Sequence, residues 1–251
     1  MPRQARKKSE SGVYHIMLRG INRQVLFEEE EDKAKFLDTI KQYKTKKEYK
    51  ILGYCLMDNH AHILIKEGNE PIANTMKRIG VSYVCWYNWK NKRRGHLFQD
   101  RYKSESIEDD QYLLSVLRYI HQNPMNAGIE QEISRYKWSS YNEYVGVPKI
   151  VDTAFVLGMF SENEKLAREE FARYMVESGG SKISLEEDKR LTDNEAREKI
   201  QRHINMTFAE VQQLDKEKRN EILRKMKDIE EVSIRQIARI TGFTVNVVAK
   251  A

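Results

Sequence analysis

The chain has 251 residues, of which 40% are hydrophobic and 33% charged, and its net charge at pH 7 is +6. No apolar run approaches the roughly 20 residues that a membrane-spanning helix needs, and the basic N-terminal segment lacks the apolar core of a secretory signal. The two cysteines are too few for a disulfide framework. We therefore expect a protein of the reducing cytoplasm, without membrane contact.

The positive charge is concentrated early in the sequence, because residues 1–108 contain 22 Lys and Arg against 14 Asp and Glu. Basic side chains neutralise phosphates and aromatic rings offer stacking surfaces to bases, so this composition favours a nucleic-acid partner. A sequence pI of 9.1 is also common in proteins with other partners. Composition alone leaves the partner open.

Periodicity and length predict seven elements in the first part of the chain. They are strands at 13–18, 49–56, 60–66 and 102–107, and helices at 28–49, 72–89 and 109–122. Pro71 marks the start of the second helix, and Asn123-Pro124 is expected to end the third. The order β-α-β-β-α-β-α predicts the α+β class, with a ferredoxin-like antiparallel sheet packed against helices.

A second region is predicted after a further helix at about 162–177. The polar stretch Ser178-Gly179-Gly180-Ser181 is typical of a flexible linker. We therefore predict a first domain at residues 1–178 and an all-α region at residues 179–251. Within the latter, residues 182–232 have nearly balanced charges and apolar residues at helical spacing, which favours a solvated helical connector.

The last segment, residues 232–248, is predicted to form a helix, a glycine turn at Gly242 and a second helix that starts near Thr244. This is the spacing of a helix-turn-helix motif, in which the small Ala238 would let the two helices approach. Thr244 and Asn246 would then face a DNA groove. An ordinary helical hairpin has a similar pattern and is the alternative.

The stretch MDNHAHILI, residues 57–65, places His60 and His62 one residue apart on the third predicted strand. Residues i and i+2 of a strand point to the same face, so the two imidazoles would lie side by side. Two neutral imidazoles at that spacing can bind one divalent metal ion. A pair of ordinary, half-buried histidines is the alternative interpretation.

The third predicted helix ends in Tyr119-Ile120-His121-Gln122-Asn123-Pro124, which offers a nucleophile and a third metal ligand. Tyr119 and Asn123 are four residues apart and share one helical face. If Asn123 reaches the metal, the Tyr119 oxygen lies near a polarised phosphodiester and can attack phosphorus. Alternatively, Tyr119 is a core ring and Asn123 a helix cap. Tyr102 and Tyr112 are competing nucleophiles, but neither has an amide four residues later.

At these residues the sequence resembles the HUH-type tyrosine transposases, and within them the REP-associated group of IS200-like transposases. His60-Ala61-His62 matches the histidine-hydrophobic-histidine motif of the family. The resemblance covers roughly residues 12–145. Its other matching segments are residues 14–24, 95–104 and 119–128 and the motif Trp138-Ser139-Ser140-Tyr141. The C-terminal hundred residues depart from the family, because many relatives have little beyond the catalytic domain.

The resemblance implies that residues 1–178 are a catalytic domain in which Tyr119 is the nucleophile and His60, His62 and Asn123 bind Mg²⁺ or Mn²⁺. It also implies a single-stranded DNA substrate folded into hairpins near repeated or palindromic sequences, cleaved to a 5′-phosphotyrosine and a free 3′-OH. The candidates for phosphate contacts are Arg19, Arg23, Arg101 and Lys103. The expected place of action is the bacterial nucleoid, and a homodimer is left open.

Two other functions compete with this interpretation. The first is a domesticated relative that has kept the fold but acts only as a DNA-binding regulator. The second is a hydrolase in which His60 and His62 hold a metal that activates water. Asp58 is the nearest acidic residue in the sequence that could serve such a hydrolase as a general base, although it is expected to lie in the turn before His60.

Overall fold

A computed structural model describes residues 7–21, 24–177, 183, 193–229 and 232–251. The chain divides into two compact units, Met1–Leu185 and Glu186–Ala251. The predicted linker at residues 178–181 lies outside the described residues, so the predicted boundary between 178 and 179 stays a prediction. Within the described ranges, no helix has both the length and the apolar character needed to span a membrane.

The first unit is built on an antiparallel sheet. Its strands are β1 (Val13–Arg19), β2 (Lys50–Met57), β3 (His60–Lys66) and β4 (Lys103–Ile107), and its helices are α1 (Glu30–Lys47), α2 (Ile72–Lys90), α3 (Asp110–Asn126), α4 (Tyr141–Val145), α5 (Thr153–Leu157) and α6 (Glu164–Val176), with a 3-10 turn at Ile133–Arg135. The strand order is β2-β3-β1-β4, and all neighbours are antiparallel. This is the ferredoxin-like arrangement, and the predicted fold class is confirmed.

The two faces of the sheet differ in character, because successive side chains of a strand alternate between them. Ile16, Leu18 and Ile63 are buried on one face, in the main hydrophobic core. The crossover helices α1 and α2 belong to this core, where Phe36 and Tyr83 meet edge to face with ring centroids 5.1 Å apart. The opposite face carries the histidines and is covered by α3.

Helix α3 does not end where the sequence predicts. The expected end was Asn123-Pro124, but the helix continues to Asn126, so that prediction is wrong. Pro124 lacks a backbone N–H and forfeits one helical hydrogen bond, yet it lies in the last turn, where little helix follows it. The Ala127 N–H still donates to the Asn123 carbonyl at 3.0 Å. Asn123 therefore lies inside the helix, and its side chain is buried.

The segment around Trp138 and Ser140 runs along β2 and connects it to α3. The Leu56 N–H donates to the Trp138 carbonyl at 2.9 Å, and the Ser140 N–H donates to the Tyr54 carbonyl at 2.9 Å. The Ser140 hydroxyl also lies 2.7 Å from Nε2 of His121 on α3. These bonds fix the position of α3 against the edge of the sheet.

Buried His121 is expected to make the folding of the first unit sensitive to acid. Burial lowers the pKa of His121 from 6.5 to about 3. Between these pH values the unfolded chain binds a proton that the folded chain rejects, so stability falls as the pH drops below 6.5, by about 1.4 kcal/mol per pH unit. His121→Gln should remove this contribution and give a shallower decline, which urea unfolding between pH 7 and 4 would measure.

The exposed His96 supplies the matched control. His96→Gln makes the same substitution at an exposed side chain and should leave the pH dependence of unfolding as in the wild type. Equal slopes for His121→Gln and the wild type would contradict the prediction.

The second unit consists of helices α7 (Asp193–Ile204), α8 (Phe208–Gln213), α9 (Lys216–Lys227), α10 (Ile234–Thr241) and α11 (Val245–Lys250). The solvated connector expected at residues 182–232 is not what α7, α8 and α9 form. Their apolar residues share one buried cluster with α10 and α11, including Ile200, Val211, Leu223, Ile237 and Val248. The predicted helix, glycine turn and helix are present, with Gly242 in the left-handed region at a φ of 78°.

Candidate active site

The two histidines of β3 lie side by side on the face of the sheet that α3 covers. Their ring centroids are 5.0 Å apart and the ring planes are nearly perpendicular, at 87°. In the antiparallel register, Arg19 of β1 lies opposite His60 and Met17 lies opposite His62. The period of two along β3 thus produces the imidazole pair expected from the sequence.

His60 is oriented by the turn residue before it. Its Nδ1 lies 2.6 Å from the Asn59 side-chain oxygen, which can only accept, so the ring donates from Nδ1. A neutral imidazole that carries its proton on Nδ1 has a lone pair on Nε2. That Nε2 lies 3.3 Å from Oδ1 of Asn123. A nitrogen lone pair and an amide oxygen therefore converge from β3 and α3.

His62 is fully buried and neutral. Burial lowers the pKa of His62 well below 6.5, and the neighbouring His60, His15 and Arg19 lower it further. Its Nδ1 lies 2.9 Å from Nε2 of His15 on β1. Its Nε2 is buried and has no hydrogen-bond partner among the described residues. A buried nitrogen without a partner is costly unless something binds it, and a metal ion would do so.

The donor set fits a divalent cation. His60 and His62 can offer two imidazole nitrogens and Asn123 an amide oxygen, and all three side chains are buried. No three His, Cys, Asp or Glu side chains gather into a metal-binding group in the described ranges. A third ligand for a metal ion at His60 and His62 would therefore come from an amide or from water. Oxygen donors suit both Mg²⁺ and Mn²⁺, whereas imidazole is a softer donor than Mg²⁺ prefers.

Tyr119 lies beside this pair. It is half-buried on α3, and its ring meets the His62 ring edge to face, with centroids 5.5 Å apart at 87°. The centroid of His15 is 6.2 Å away. Asn123 is one helical turn further along the same face of α3. The structure therefore brings together the four side chains for which the sequence predicts the roles of nucleophile and metal ligands.

The competing nucleophiles Tyr112 and Tyr102 and the candidate general base Asp58 lie in surroundings that differ from those of Tyr119. The Tyr112 hydroxyl donates to Oε1 of Glu105 at 2.5 Å, which engages it with a carboxylate of β4. Tyr102 is half-buried just before β4. The Asp58 carboxylate accepts from Nζ of Lys33 at 2.7 Å in the turn between β2 and β3. This pairing gives Asp58 a structural role and weakens the hydrolase alternative.

Three residues near the site were missed as functional candidates. They are Asn59 and His15, which contact His60 and His62, and Glu105, whose Oε2 lies 3.7 Å from Nδ1 of His15. Alternation on β1 places His15 on the same face as Met17 and Arg19, which is visible in the sequence. That β1 lies between β3 and β4 becomes certain only from the strand order.

The basic candidates of the first unit are not all in the same surroundings. Arg19 is half-buried on the histidine face, and Lys103 is exposed on β4 opposite Met17, on the same face. Arg101 is exposed in the bend before β4. Arg23 lies outside the described residues. Arg19 and Lys103 therefore share a face with the histidine pair, and Arg101 lies two residues from Lys103.

The candidates of the second unit are exposed on α11. Thr244 is the N-cap of this helix, and its hydroxyl accepts from the Val247 N–H at 3.4 Å. Asn246 lies in the first turn with its side chain exposed. Both are accessible to a partner, and the predicted DNA contact of this motif stays a prediction.

The part of the chain that matches a known family contains all four strands and most of α3. Residues 8–123 match a family model described as Transposase IS200 like. The chain is also similar to a solved structure of a REP-associated tyrosine transposase bound to a REP hairpin, with 18% identity and a TM-score of 0.50 over 58% of this chain and 86% of that one. No curated protein matches. The likeness of structure shows a shared fold, and residues 8–123 are similar to the IS200-like transposases.

Proposed function

We propose that this protein is a metal-dependent single-stranded DNA endonuclease and strand transferase, a transposase that cleaves near hairpin or palindromic repeats. The observation that carries the proposal is the position of Tyr119, edge-on to His62 and one helical turn from Asn123. The match of residues 8–123 to a transposase family model supports the same reaction class.

In the proposed reaction, the Tyr119 oxygen attacks a DNA phosphorus. A bond forms between this oxygen and phosphorus, the bond from phosphorus to the 3′ oxygen breaks, and the tyrosine proton is lost while the leaving 3′ oxygen gains one. The products are a 5′-phosphotyrosine and a free 3′-OH. His60, His62 and Asn123 would hold Mg²⁺ or Mn²⁺, which supplies charge stabilisation at the phosphate. Because one ester replaces another, strand transfer requires no ATP.

Basic residues around the site would position the DNA. Arg19 and Lys103 lie on the histidine face, and Arg101 is exposed nearby in the chain. Arg23 belongs to the same proposed set through the sequence alone. Lys and Arg side chains bind phosphates without regard to sequence, so these residues would fix the strand rather than select it. A hairpin partner is supported by the REP hairpin in the related structure.

The test is the formation of a covalent adduct. The protein would be incubated with labelled single-stranded hairpin DNA and Mn²⁺ or EDTA, and products separated on a denaturing gel that retains protein–DNA adducts. We expect an adduct that requires the metal and maps by mass spectrometry to the peptide with Tyr119. Binding without an adduct across varied hairpins would favour the regulator function, and cleavage by water without an adduct would favour the hydrolase.

The second unit is proposed to recognise duplex DNA or a hairpin stem through α10 and α11. Asn246→Ala in the full chain should weaken binding to the duplex target about 5- to 150-fold, because one good base contact contributes roughly 1–3 kcal/mol. Fluorescence anisotropy at fixed salt would measure this. Asn74→Ala, which removes an exposed asparagine from α2, is the matched control and should leave the affinity unchanged. Equal affinities for both variants would contradict the role.

The expected setting is the nucleoid of a bacterial cytoplasm. Cys55 is buried and Cys85 is exposed, and both are free thiols, as a reducing compartment permits. A homodimer is compatible with the proposal but not required by it, because the proposed ligands and Tyr119 all come from one chain.

A further inference from the structure

We propose that Glu105 and His15 are positioning residues that hold His62 in the tautomer able to bind the metal. The inference rests on the proposed function, since it concerns the proposed ligand His62. It adds two residues to the site and states what each does. Neither is proposed to touch the substrate or the metal.

The three side chains form a row across three strands. Glu105 of β4 lies opposite His15 of β1 in the antiparallel register, with Oε2 of the carboxylate 3.7 Å from Nδ1 of the ring. Nε2 of the same ring lies 2.9 Å from Nδ1 of His62 on β3. The centroids of the two rings are 5.1 Å apart, and both rings are fully buried. The row ends at Nε2 of His62, a buried nitrogen that has no hydrogen-bond partner among the described residues.

Only one proton can lie between the two rings, which leaves two arrangements. In the first, Nδ1–H of His62 donates to His15, Nε2 of His62 carries a lone pair, and the proton of His15 is on Nδ1, facing Glu105. In the second, Nε2–H of His15 donates to His62. The proton of His62 is then on Nε2, which excludes a metal there, and the lone pair of His15 faces the carboxylate.

The carboxylate discriminates between these arrangements. A negative charge near Nδ1 of His15 attracts an N–H and repels a lone pair, and in a buried site such an interaction is only weakly screened. Glu105 therefore favours the first arrangement, in which Nε2 of His62 is a metal ligand. At 3.7 Å its influence is electrostatic rather than that of a short hydrogen bond.

The other end of the row is also anchored. Oε1 of Glu105 accepts a hydrogen bond from the Tyr112 hydroxyl of α3 at 2.5 Å. This bond orients the carboxylate so that Oε2 is directed to His15. Tyr112, which the sequence offers as a competing nucleophile, is thereby assigned a supporting role two turns before Tyr119 on the same helix.

The first experiment reads the tautomers in the metal-free protein. Long-range ¹H–¹⁵N correlation spectra distinguish protonated from unprotonated imidazole nitrogens, and single His→Gln variants assign the six histidines. We expect protonated Nδ1 and unprotonated Nε2 for both His15 and His62. In Glu105→Gln, the other tautomer of His62 should appear. A wild-type His62 that carries its proton on Nε2 would overturn the inference.

The second experiment measures Mn²⁺ affinity by electron paramagnetic resonance of free Mn²⁺. His15→Leu should weaken binding about 10- to 100-fold, the usual effect of losing the partner of a ligand, and Glu105→Gln should approach the lower end of that range. His15→Gln retains an acceptor for Nδ1–H of His62 and should recover part of the loss. Glu108→Gln makes the same change at the end of β4, where the carboxylate accepts from the Glu10 and Ser11 N–H groups, and should leave affinity unchanged.

The two experiments separate this inference from the proposed function. If wild-type protein binds no Mn²⁺, the proposed metal site fails, while the spectra still report whether Glu105 sets the tautomer. If Mn²⁺ binds equally to the wild type and Glu105→Gln, the metal site stands and the positioning role is wrong. If His15→Leu fails to fold, as judged by thermal unfolding without metal, the positioning role is tested by the Mn²⁺ affinity of Glu105→Gln and by the wild-type spectra.

Discussion

Replacing Tyr119 with phenylalanine is expected to abolish the covalent protein–DNA adduct and to reduce strand cleavage by about a thousandfold or more, because the attacking oxygen is removed. The ring that packs edge-on to His62 and His15 is retained, so folding and metal binding should change little. The measurement uses labelled hairpin DNA with Mn²⁺ on a denaturing gel. Affinity for the same DNA, measured separately, should stay near that of the wild type.

Two matched substitutions test whether the effect belongs to Tyr119. Tyr112→Phe removes a hydroxyl from the same helix, and Tyr102→Phe removes one from the segment before β4. Both should still form the adduct, although Tyr112→Phe loses the hydrogen bond to Glu105 and is expected to need more Mn²⁺. An adduct that persists in Tyr119→Phe and disappears in either control would assign the nucleophile to that other tyrosine.

Local sequence patterns predicted the part of the site that depends on local geometry. The period of two on β3 put His60 and His62 on one face, and the i, i+4 spacing on α3 put Tyr119 and Asn123 on another. That these two faces meet is a property of the tertiary fold, and the resemblance to a known family supplied it in advance. The positions of Asn59, His15 and Glu105 depend on the turn and on the strand order, which periodicity cannot give.

Two predictions from sequence were wrong for reasons that packing explains. Pro124 was expected to stop α3, but a proline in the last turn costs only one hydrogen bond, and the buried helix tolerates it. The balanced charges of residues 182–232 suggested a solvated connector. The exposed charges lie on helices whose few apolar residues, such as Ile200 and Leu223, are fully buried in a shared cluster. In short helices, the overall proportion of charged residues does not reveal the narrow stripe of apolar residues that forms the core.

Replacing His62 with alanine is expected to remove stabilisation by metal as well as adduct formation. A ligand that binds only the folded state stabilises it by about 2.7 kcal/mol at a hundred times its dissociation constant. Wild-type protein should therefore unfold at a higher temperature when Mn²⁺ is added. His62→Ala should show no such rise, and its adduct yield should fall by about a hundredfold or more, because two remaining ligands hold the cation poorly.

Loss of a buried side chain also lowers stability by itself, so the informative quantity is the change caused by Mn²⁺ within each variant. His121→Ala is the matched control, since His121 is equally buried but packs against Tyr141, Tyr144 and Phe171 rather than against the proposed ligands. It should be less stable than the wild type without metal and yet gain as much from Mn²⁺. Equal Mn²⁺ stabilisation of His62→Ala and His121→Ala would show that the metal binds elsewhere. The buried Nε2 of His62, which lacks a hydrogen-bond partner in the described part of the chain, would then need another explanation.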